Sequence, residues 1–155
     1  MSDGREMTPE DLRDTILGVL DRNRLAVLAT QRDGQPHASL MAFTPLKGLE
    51  LLAFATYRDT LKYQSLMMDG RVAVLIDDRS GEQHPDRRLV VTAPGEVAET
   101  GEQDRRDHLA AHLARHPDLR GFLESPECEL VCVAVRAYQV VRGIEDVRWL
   151  TIAGD

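Results

Sequence analysis

The chain has 155 residues with 26 acidic side chains against 19 Lys plus Arg, a net charge of −7. This acidic balance repels phosphate backbones, and no Lys or Arg run offsets it, so nucleic acid is a poor candidate partner. The longest apolar runs, which start at Leu25 and Leu130, fall far below the ~20 residues of a membrane helix, and the charged start does not resemble a secretory signal. We predict one cytoplasmic domain over residues 1–155 without a membrane partner.

The first element indicated by the sequence is a helix over about residues 8–22. Thr8 is a suitable N-cap, and Pro9 suits the first helical position. Apolar residues then recur on one face: Leu12, Ile16, Val19 and Leu20. This spacing predicts an amphipathic helix that lies on a larger structure.

Three apolar segments follow, and a turn separates each from the next. They are RLAVLATQ, QPHASLMAFTPL and LELLAFAT. The first turn contains Asp33-Gly34, a strong short-range signal for a hairpin, and the second contains Lys47-Gly48. We predict three neighbouring strands in an antiparallel meander.

The middle of the chain alternates between helical and strand patterns. After Thr56 the segment RDTLKYQSLMMDG predicts a helix that begins near Asp59 or Thr60, and RVAVLIDD predicts a fourth strand. SGEQHPDR is a polar loop. RLVVTAPGEVAE predicts a fifth strand in which Pro94-Gly95 marks a bulge or a bend.

The last third predicts a long helix from about Glu102 to Arg115 and a shorter one near Leu119 to Leu123. Two more strands, CELVCVAVRAYQVVRG and VRWLTI, are joined at Gly143. Six or seven short antiparallel strands with two or three surface helices predict an α+β barrel or rolled sheet in one domain.

Two groups of metal-binding or redox residue types occur in the last third. Cys128 and Cys132 lack the C-x-x-C spacing of redox and zinc sites, so we interpret both as buried apolar side chains. His108, His112 and His116 recur every four residues, a spacing that can chelate a metal on a helix.

For the three histidines, an ordinary helix face without a metal is favoured over a metal site. H-E-x-x-H is absent, and Leu109 with Leu113 supplies a core-facing stripe, which leaves the histidines on a wetter, solvated or partly packed face. His37 lies on the second predicted strand, where alternation points it inward with Ser39 and Met41. We interpret it as a barrel or interface histidine.

The segment FATYRDTLKYQSL contains the one remaining chemical constellation, because hydrolase, Walker and dinucleotide-binding motifs do not occur. A strand ends at Thr56, and a helix follows with Thr60 at its start and Lys62 in its first turn, with Arg58 nearby. Hydroxyls and cations at a helix N-terminus suit a phosphate. An ordinary N-cap with a solvated lysine is the alternative, and the spacing alone favours that alternative.

The order of these segments, over about residues 10 to 150, resembles the pyridoxamine 5′-phosphate oxidase-like, flavin-binding split-barrel superfamily. The most specific matches are Ala29-Thr30, the D-G-x-P turn at 33–36, and T-x-x-x-[ST]-x-K at Thr56, Thr60 and Lys62. The segment from Leu66 to Val72 matches a further family pattern. The resemblance implies a six-stranded antiparallel split β-barrel with flanking helices, a homodimer, and FMN at the subunit interface.

The resemblance also assigns roles to individual residues. It implies that Thr56, Thr60 and Lys62 hold the FMN phosphate, and that backbone groups of Met41 and Ala42, within the strand Ser39 to Phe43, lie near the polar edge of the isoalloxazine ring. Arg24 and Arg88 are weaker candidates for cofactor binding. Trp149 is a candidate on its residue type alone: we predict that it lies near the cofactor or the dimer interface, because interfaces are enriched in tryptophan, and ordinary barrel packing is an equally weighted alternative.

The chain also departs from the pyridoxamine phosphate oxidases proper. They have S-R-K where this chain has Thr60-Leu61-Lys62, and their C-terminal R-x-H-D-R-type segment is replaced by VRWLTIAGD, which argues against vitamin B6 oxidation. The leading hypothesis is an FMN-binding oxidoreductase that acts on an unidentified small-molecule substrate or electron donor. The alternatives are a non-enzymatic flavin or small-molecule binder and a haem-binding degradative enzyme that uses one of the five histidines.

Overall fold

A computed structural model describes residues 7–79 and 88–152. Its helices are α1 Pro9–Arg22, α2 Leu61–Met68, α3 Glu102–Arg115 and α4 Arg120–Leu123. Its strands are β1 Leu25–Arg32, β2 Gln35–Ala42, β3 Thr44–Leu46, β4 Leu51–Tyr57, β5 Arg71–Asp78, β6 Leu89–Ala98, β7 Cys128–Val135, β8 Ala137–Arg142 and β9 Asp146–Thr151. Within these ranges no helix is long and apolar enough to cross a membrane. The predicted polar loop at 80–87 lies outside the described residues.

Helix α1 begins where the sequence predicts. Thr8 Oγ1 accepts from the Asp11 backbone N–H at 3.1 Å, and an Asp11 carboxylate oxygen accepts from the Thr8 N–H at 3.1 Å, a reciprocal capping box. The four apolar residues predicted on one face are all buried: Leu12, Ile16, Val19 and Leu20. The helix is therefore fixed by local capping and by burial of one apolar stripe.

The strands form one antiparallel sheet in the order β2-β1-β5-β6-β7-β4-β3, and the β8–β9 hairpin is attached to β6. Only Phe43 separates β2 from β3, so the two ends of this order are adjacent in the chain and the sheet curls into a half-barrel. If β2 and β3 are counted as one bent strand, the barrel has six strands. The predicted fold class, mainly antiparallel β with flanking helices, is confirmed.

Two predicted strands are interrupted in the structure. The segment after the Asp33-Gly34 turn bends at Phe43, so β2 pairs with β1 while β3 pairs with β4, and the predicted continuous meander is wrong. The segment from Cys128 breaks at Arg136 into β7, which pairs with β4 and β6, and β8, which pairs with β6 and β9. Both breaks redirect the chain to a new neighbour.

Strand β6 passes through Pro94-Gly95 without the predicted bulge, because its register with β5 is continuous there. At this point β6 instead changes its other neighbour, from β8 over residues 89–92 to β7 over residues 95–98. A Cβ on Gly95 would lie 2.5 Å from the Ala134 carbonyl oxygen, so the close approach of β7 requires a glycine.

Candidate functional site

The turn between β4 and α2 places the predicted threonines together at a helix N-terminus. Thr60 is the N-cap of α2, and its Oγ1 accepts from the Tyr63 N–H at 3.3 Å and donates to the Tyr57 carbonyl at 2.9 Å. Thr56 is buried, and its Oγ1 lies 3.0 Å from Thr60 Oγ1. Lys62 is half-buried in the first turn of α2. The structure therefore places the two threonine hydroxyls together at the start of the helix that carries Lys62.

A carboxylate and two arginines from elsewhere in the chain lie beside this turn. Glu129 is the cross-strand partner of Thr56, and its carboxylate is 2.8 Å from Arg105 on α3 and 3.5 Å from Arg58. Arg58 and Arg105 are both paired with Glu129, and Glu99 lines the same cleft, so carboxylates nearby balance the cations around the hydroxyls. Sequence reasoning missed Glu129, which the β4–β7 pairing brings here, and Arg105, which α3 places against Glu129.

A cleft of about 220 Å³ opens next to the turn, between α2 and the edges of β6 and β7. Its walls include Tyr63, Met67, Arg105, Glu129 and Cys132. Ligand pockets for drug-sized molecules usually span about 300–1,000 Å³. A ligand as large as a flavin nucleotide must therefore extend beyond this cleft.

Met41 and Ala42 lie at the end of β2, just before the bend. The Met41 side chain is 8% exposed and packs in the core, while Ala42 is half-buried. In the described ranges β2 forms a ladder with β1 alone, so its second edge pairs with no other described strand. Backbone groups along such an edge are available to a ligand or a partner.

Arg24 and Arg88 each bind a carboxylate in the structure. Arg24 donates to Asp118 at 2.8 Å beyond the C-terminal end of α3, whereas Arg105 lies near its N-terminal end, about 15 Å along the helix axis. Arg88 Nε donates to Asp77 at 2.8 Å on β5. The single chain therefore does not gather Arg24 at the Thr56–Thr60 turn, and it engages Arg88 with the β5 carboxylate.

Trp149 is 56% exposed on the edge strand β9 and belongs to a row of side chains that crosses six strands. The pairing register aligns this row in the order Leu40, Val27, Leu75, Thr92, Gln139 and Trp149. Leu40 and Leu75 in the same row are 68% and 38% exposed. We call this surface the outer face. Several large apolar side chains are exposed together on it, which is more than the single exposed apolar residues that are normal on a protein surface.

The amino-acid sequence matches a known protein family over most of its length. A family model described as pyridoxamine 5′-phosphate oxidase matches residues 12–141. The chain belongs to this family. No curated protein sequence matches the chain.

Several solved structures share the fold of this chain. A haem-binding protein from Mycobacterium smegmatis has a TM-score of 0.83 at 18% identity over 95% of this chain and 59% of its own. General Stress Protein 26 from Bacillus anthracis has a TM-score of 0.68 at 19% identity over 91% and 98%. A related protein of the pyridoxinephosphate oxidase family from Clostridium acetobutylicum has a TM-score of 0.72 at 11% identity over 92% and 96%.

The three histidines of α3 are buried, so their predicted position on a wetter face is wrong. His108, His112 and His116 are 7%, 1% and 1% exposed, whereas Leu109 and Leu113 are half-buried against a smaller cluster. The sheet beneath α3 supplies polar partners for all three rings, which makes their burial tolerable. The described residues contain no group of three side chains placed to hold a metal ion.

His37 is exposed, so the prediction that it points into the barrel is wrong. Along β2 the side chains of His37, Ser39 and Met41 change from exposed through half-buried to buried. The face is therefore the predicted one, but the first half of β2 extends past the core.

Cys128 and Cys132 are free and buried, as predicted. Burial raises the pKa of both thiols.

Proposed function

We propose that the chain is an FMN-binding oxidoreductase of the pyridoxamine 5′-phosphate oxidase-like type, which acts on an unidentified small molecule. The observation that supports this most is the meeting of Thr56 and Thr60 hydroxyls, 3.0 Å apart, at the start of α2 in a chain of this family. Thr60 caps the Tyr63 amide, and helix geometry leaves the amides of Leu61 and Lys62 without an intrahelical acceptor. These donors suit a phosphate.

In this proposal the protein binds and orients the cofactor, and FMN supplies the hydride or electron transfer. Thr56, Thr60 and Lys62 hold the phosphate, and Arg58 with Arg105 adds positive potential. Backbone groups of Met41 and Ala42 on the free edge of β2 orient the polar edge of the ring. No side chain is required to act as an acid or a base.

We further propose a homodimer that buries the outer face and completes the cofactor site. Leu40 and Leu75 expose apolar surface on this face, and Arg24 and Trp149 lie away from the phosphate turn within one chain. A second copy that covers the outer face supplies the missing walls of a site whose cleft is too small for a flavin.

Light scattering at micromolar concentration should give a mass near 35 kDa, about twice the 17.3 kDa of one chain. Leu40→Glu should shift the mass toward one chain and weaken FMN binding, because it places a charge on the apolar outer face. Met68→Glu, on an equally exposed methionine of α2, should leave the mass unchanged. The dimer proposal would be contradicted if the wild type were a stable monomer that binds FMN, with the same affinity as the Leu40→Glu variant.

Trp149 fluorescence should be quenched when FMN binds, because the flavin accepts excitation energy at an interface that contains this residue. The chain has one tryptophan, so the signal comes from a single position. Binding measured separately by flavin fluorescence provides the reference. Unchanged Trp149 emission at saturating FMN would place the residue in the β8–β9 packing alone.

Glu129→Gln should strengthen FMN binding by about two- to five-fold, because it removes the negative charge opposite Thr56 and releases Arg58 and Arg105 from an ion pair. Riboflavin, which lacks the phosphate, should bind the variant and the wild type equally. Glu124→Gln, which neutralises an exposed carboxylate paired with Arg120, is the matched control. Equal or weaker FMN binding by the Glu129 variant would show that its carboxylate does not face the phosphate.

Haem binding is the second candidate function, because the haem-binding protein of Mycobacterium smegmatis matches the chain with a TM-score of 0.83. His108, His112 and His116 are buried and bonded, which makes His37 the one exposed histidine in the described part of the chain. The absorbance spectrum of the purified protein discriminates the two functions. Flavin bands support the FMN proposal, and a Soret band that His37→Ala shifts supports haem.

A non-enzymatic flavin store is discriminated from an oxidoreductase by turnover. A protein whose bound flavin is reduced and reoxidised repeatedly with a nicotinamide donor and a small-molecule acceptor is an enzyme. A protein that binds FMN but gives no turnover above that of free FMN fits storage. Both outcomes leave the phosphate assignment intact.

A further inference from the structure

The bend between β2 and β3 contacts two histidines at the C-terminal end of α3, His112 within the helix and His116 at its C-cap. Phe43, the bend residue, is fully buried, and its N–H donates to the Arg24 carbonyl at 3.1 Å. Its carbonyl lies 2.8 Å from His116 Nε2. One residue later, Thr44 Oγ1 lies 2.7 Å from His112 Nδ1. The site proposed for the flavin ring, at Met41 and Ala42, immediately precedes this bend.

The contacts of His116 require a neutral ring. A carbonyl oxygen only accepts, so His116 Nε2 carries the proton that is donated to Phe43. His116 Nδ1 is then the acceptor that faces the Arg24 guanidinium at 3.4 Å. A second proton on Nδ1 would point at a permanent cation. Protonation therefore replaces an attraction by a repulsion at this position.

His112 is also unsuited to a second proton. It is 1% exposed, and its Nε2 has no hydrogen-bond partner in the described part of the chain. The His112 and His116 rings are 4.7 Å apart between centroids, so a charge on one ring disfavours a charge on the other. A cationic His112 would bury an unsatisfied N–H next to a second titratable ring.

The charged groups around the two rings are two arginines and two carboxylates. Arg115 lies on the same helix, where its guanidinium donates to the backbone carbonyls of Leu20 and Asn23, and Arg24 comes from the α1–β1 connection. Asp118 is paired with Arg24, and Asp21 of α1 acts on Arg115. The remaining titratable groups on elements packed against α3 are His108 with Cys132, Tyr57 of β4 and Arg120 of α4. Strand β3 has no charged residue.

We propose that His112 and His116 form a proton-sensitive clamp on the bend at Phe43, which makes the seating of the flavin strand, Met41 and Ala42, dependent on pH. The coupling to flavin rests on the proposed function, whereas the clamp itself rests on the contacts of Phe43 and Thr44. We call the two residues the histidine clamp. Burial lowers the pKa of both rings, that of His112 to about 4.

Amide hydrogen exchange tests the clamp without a flavin. When the bend opens, each histidine regains a pKa near the ordinary value of about 6.5. A change from pH 7.5 to pH 5.5 then favours the open form by at most about ten-fold for each ring, and by at most about 100-fold for both. Exchange at residues 41–46, corrected for the intrinsic rate, should accelerate within that limit. The buried Val74 amide on β5 reports global unfolding, and residues 41–46 should exchange faster than Val74 at both pH values, because the bend opens locally.

Two substitutions keep the hydrogen bonds and remove the titration. His116→Gln retains a donor for the Phe43 carbonyl, and His112→Asn retains a polar group for Thr44 Oγ1. The double variant should lose the pH dependence at residues 41–46, and each single variant should retain the part that comes from its remaining histidine. His37→Gln, at an exposed histidine of β2, should retain all of it. Wild-type exchange that is equal at both pH values, or a double variant that keeps the dependence, overturns the clamp.

FMN titration at the same two pH values tests the coupling. The FMN phosphate itself titrates near pH 6, so the wild type is compared with the double variant, in which that effect is the same. FMN affinity should fall more between pH 7.5 and pH 5.5 in the wild type than in the variant, by the loss of the closed fraction that the exchange data give for residues 41–46. A difference smaller than that loss overturns the coupling. No FMN binding by either protein at pH 7.5 refutes the proposed function, while the exchange result still decides the clamp.

Discussion

Lys62→Ala is expected to weaken FMN binding by about 10- to 150-fold. A hydrogen bond to a charged group contributes roughly 1.5–3 kcal/mol, and each 1.4 kcal/mol corresponds to about a ten-fold change in affinity. Lys62 is half-buried in the first turn of α2, on the helix that Thr60 caps. Titration of the apo-protein with FMN measures the loss. Thr60→Ala should cost less, about 0.5–1.5 kcal/mol for one neutral hydrogen bond.

The chain offers a matched control, because it contains only two lysines, Lys47 and Lys62. Lys47→Ala removes the same charge at the β3–β4 turn and should leave FMN affinity unchanged. Riboflavin should bind the Lys62 variant and the wild type alike, since it has no phosphate for the ammonium group to contact. Equal losses for FMN and riboflavin, or a loss as large in the Lys47 variant, would refute the phosphate role of Lys62.

The elements that the sequence predicted correctly are those with local causes. The start of α1 follows from Thr8 and Pro9, whose capping contacts lie within one helical turn. The hairpin of β1 and β2 follows from Asp33-Gly34, both of which adopt positive φ. The Thr60 cap follows from a threonine after a strand end. In each case the residues that decide the structure are neighbours in the chain.

The errors arise where a distant partner decides the structure. The bend at Phe43 depends on its hydrogen bonds to the Arg24 carbonyl, 19 residues earlier in the chain, and with His116, 73 residues later. The break at Arg136 depends on β6, which offers β7 and β8 different halves of the same edge. No local propensity marks either position. Sequence patterns therefore identified the strand segments but missed the two breaks, which raise the number of strands from the predicted six or seven to nine.

The prediction that His108, His112 and His116 lie on a wetter face was wrong for a related reason. A polar ring is buried only where partners satisfy it, and those partners lie on strands remote in the chain, Thr44, Phe43 and Cys132. The helical spacing of four identified the shared face correctly. It could not show that this face contacts the sheet, because Leu109 and Leu113 offered an apolar stripe beside it.

Stability should fall as the pH drops from 7 to 4.5, by about 2–3 kcal/mol for His112 alone. Burial lowers the pKa of His112 to about 4, against an ordinary value of about 6.5 in the unfolded chain. Between these values the unfolded state binds a proton that the folded state does not, so the free energy of unfolding rises with pH across this window. Urea unfolding at pH 7 and pH 4.5 measures the difference.

Two carboxylates, Asp77 and Asp118, affect stability at a lower pH than His112 does, so the two effects can be measured separately. Arg88 and Arg24 lower the pKa values of Asp77 and Asp118, so the stability that these carboxylates contribute is lost only as the pH falls below about 4. His112→Asn should be less stable than the wild type at pH 7, yet it should lose about 2–3 kcal/mol less on acidification to pH 4.5. Parallel losses in the two proteins across that window would show that His112 is not held neutral by the fold, and the histidine clamp would then lack its driving force.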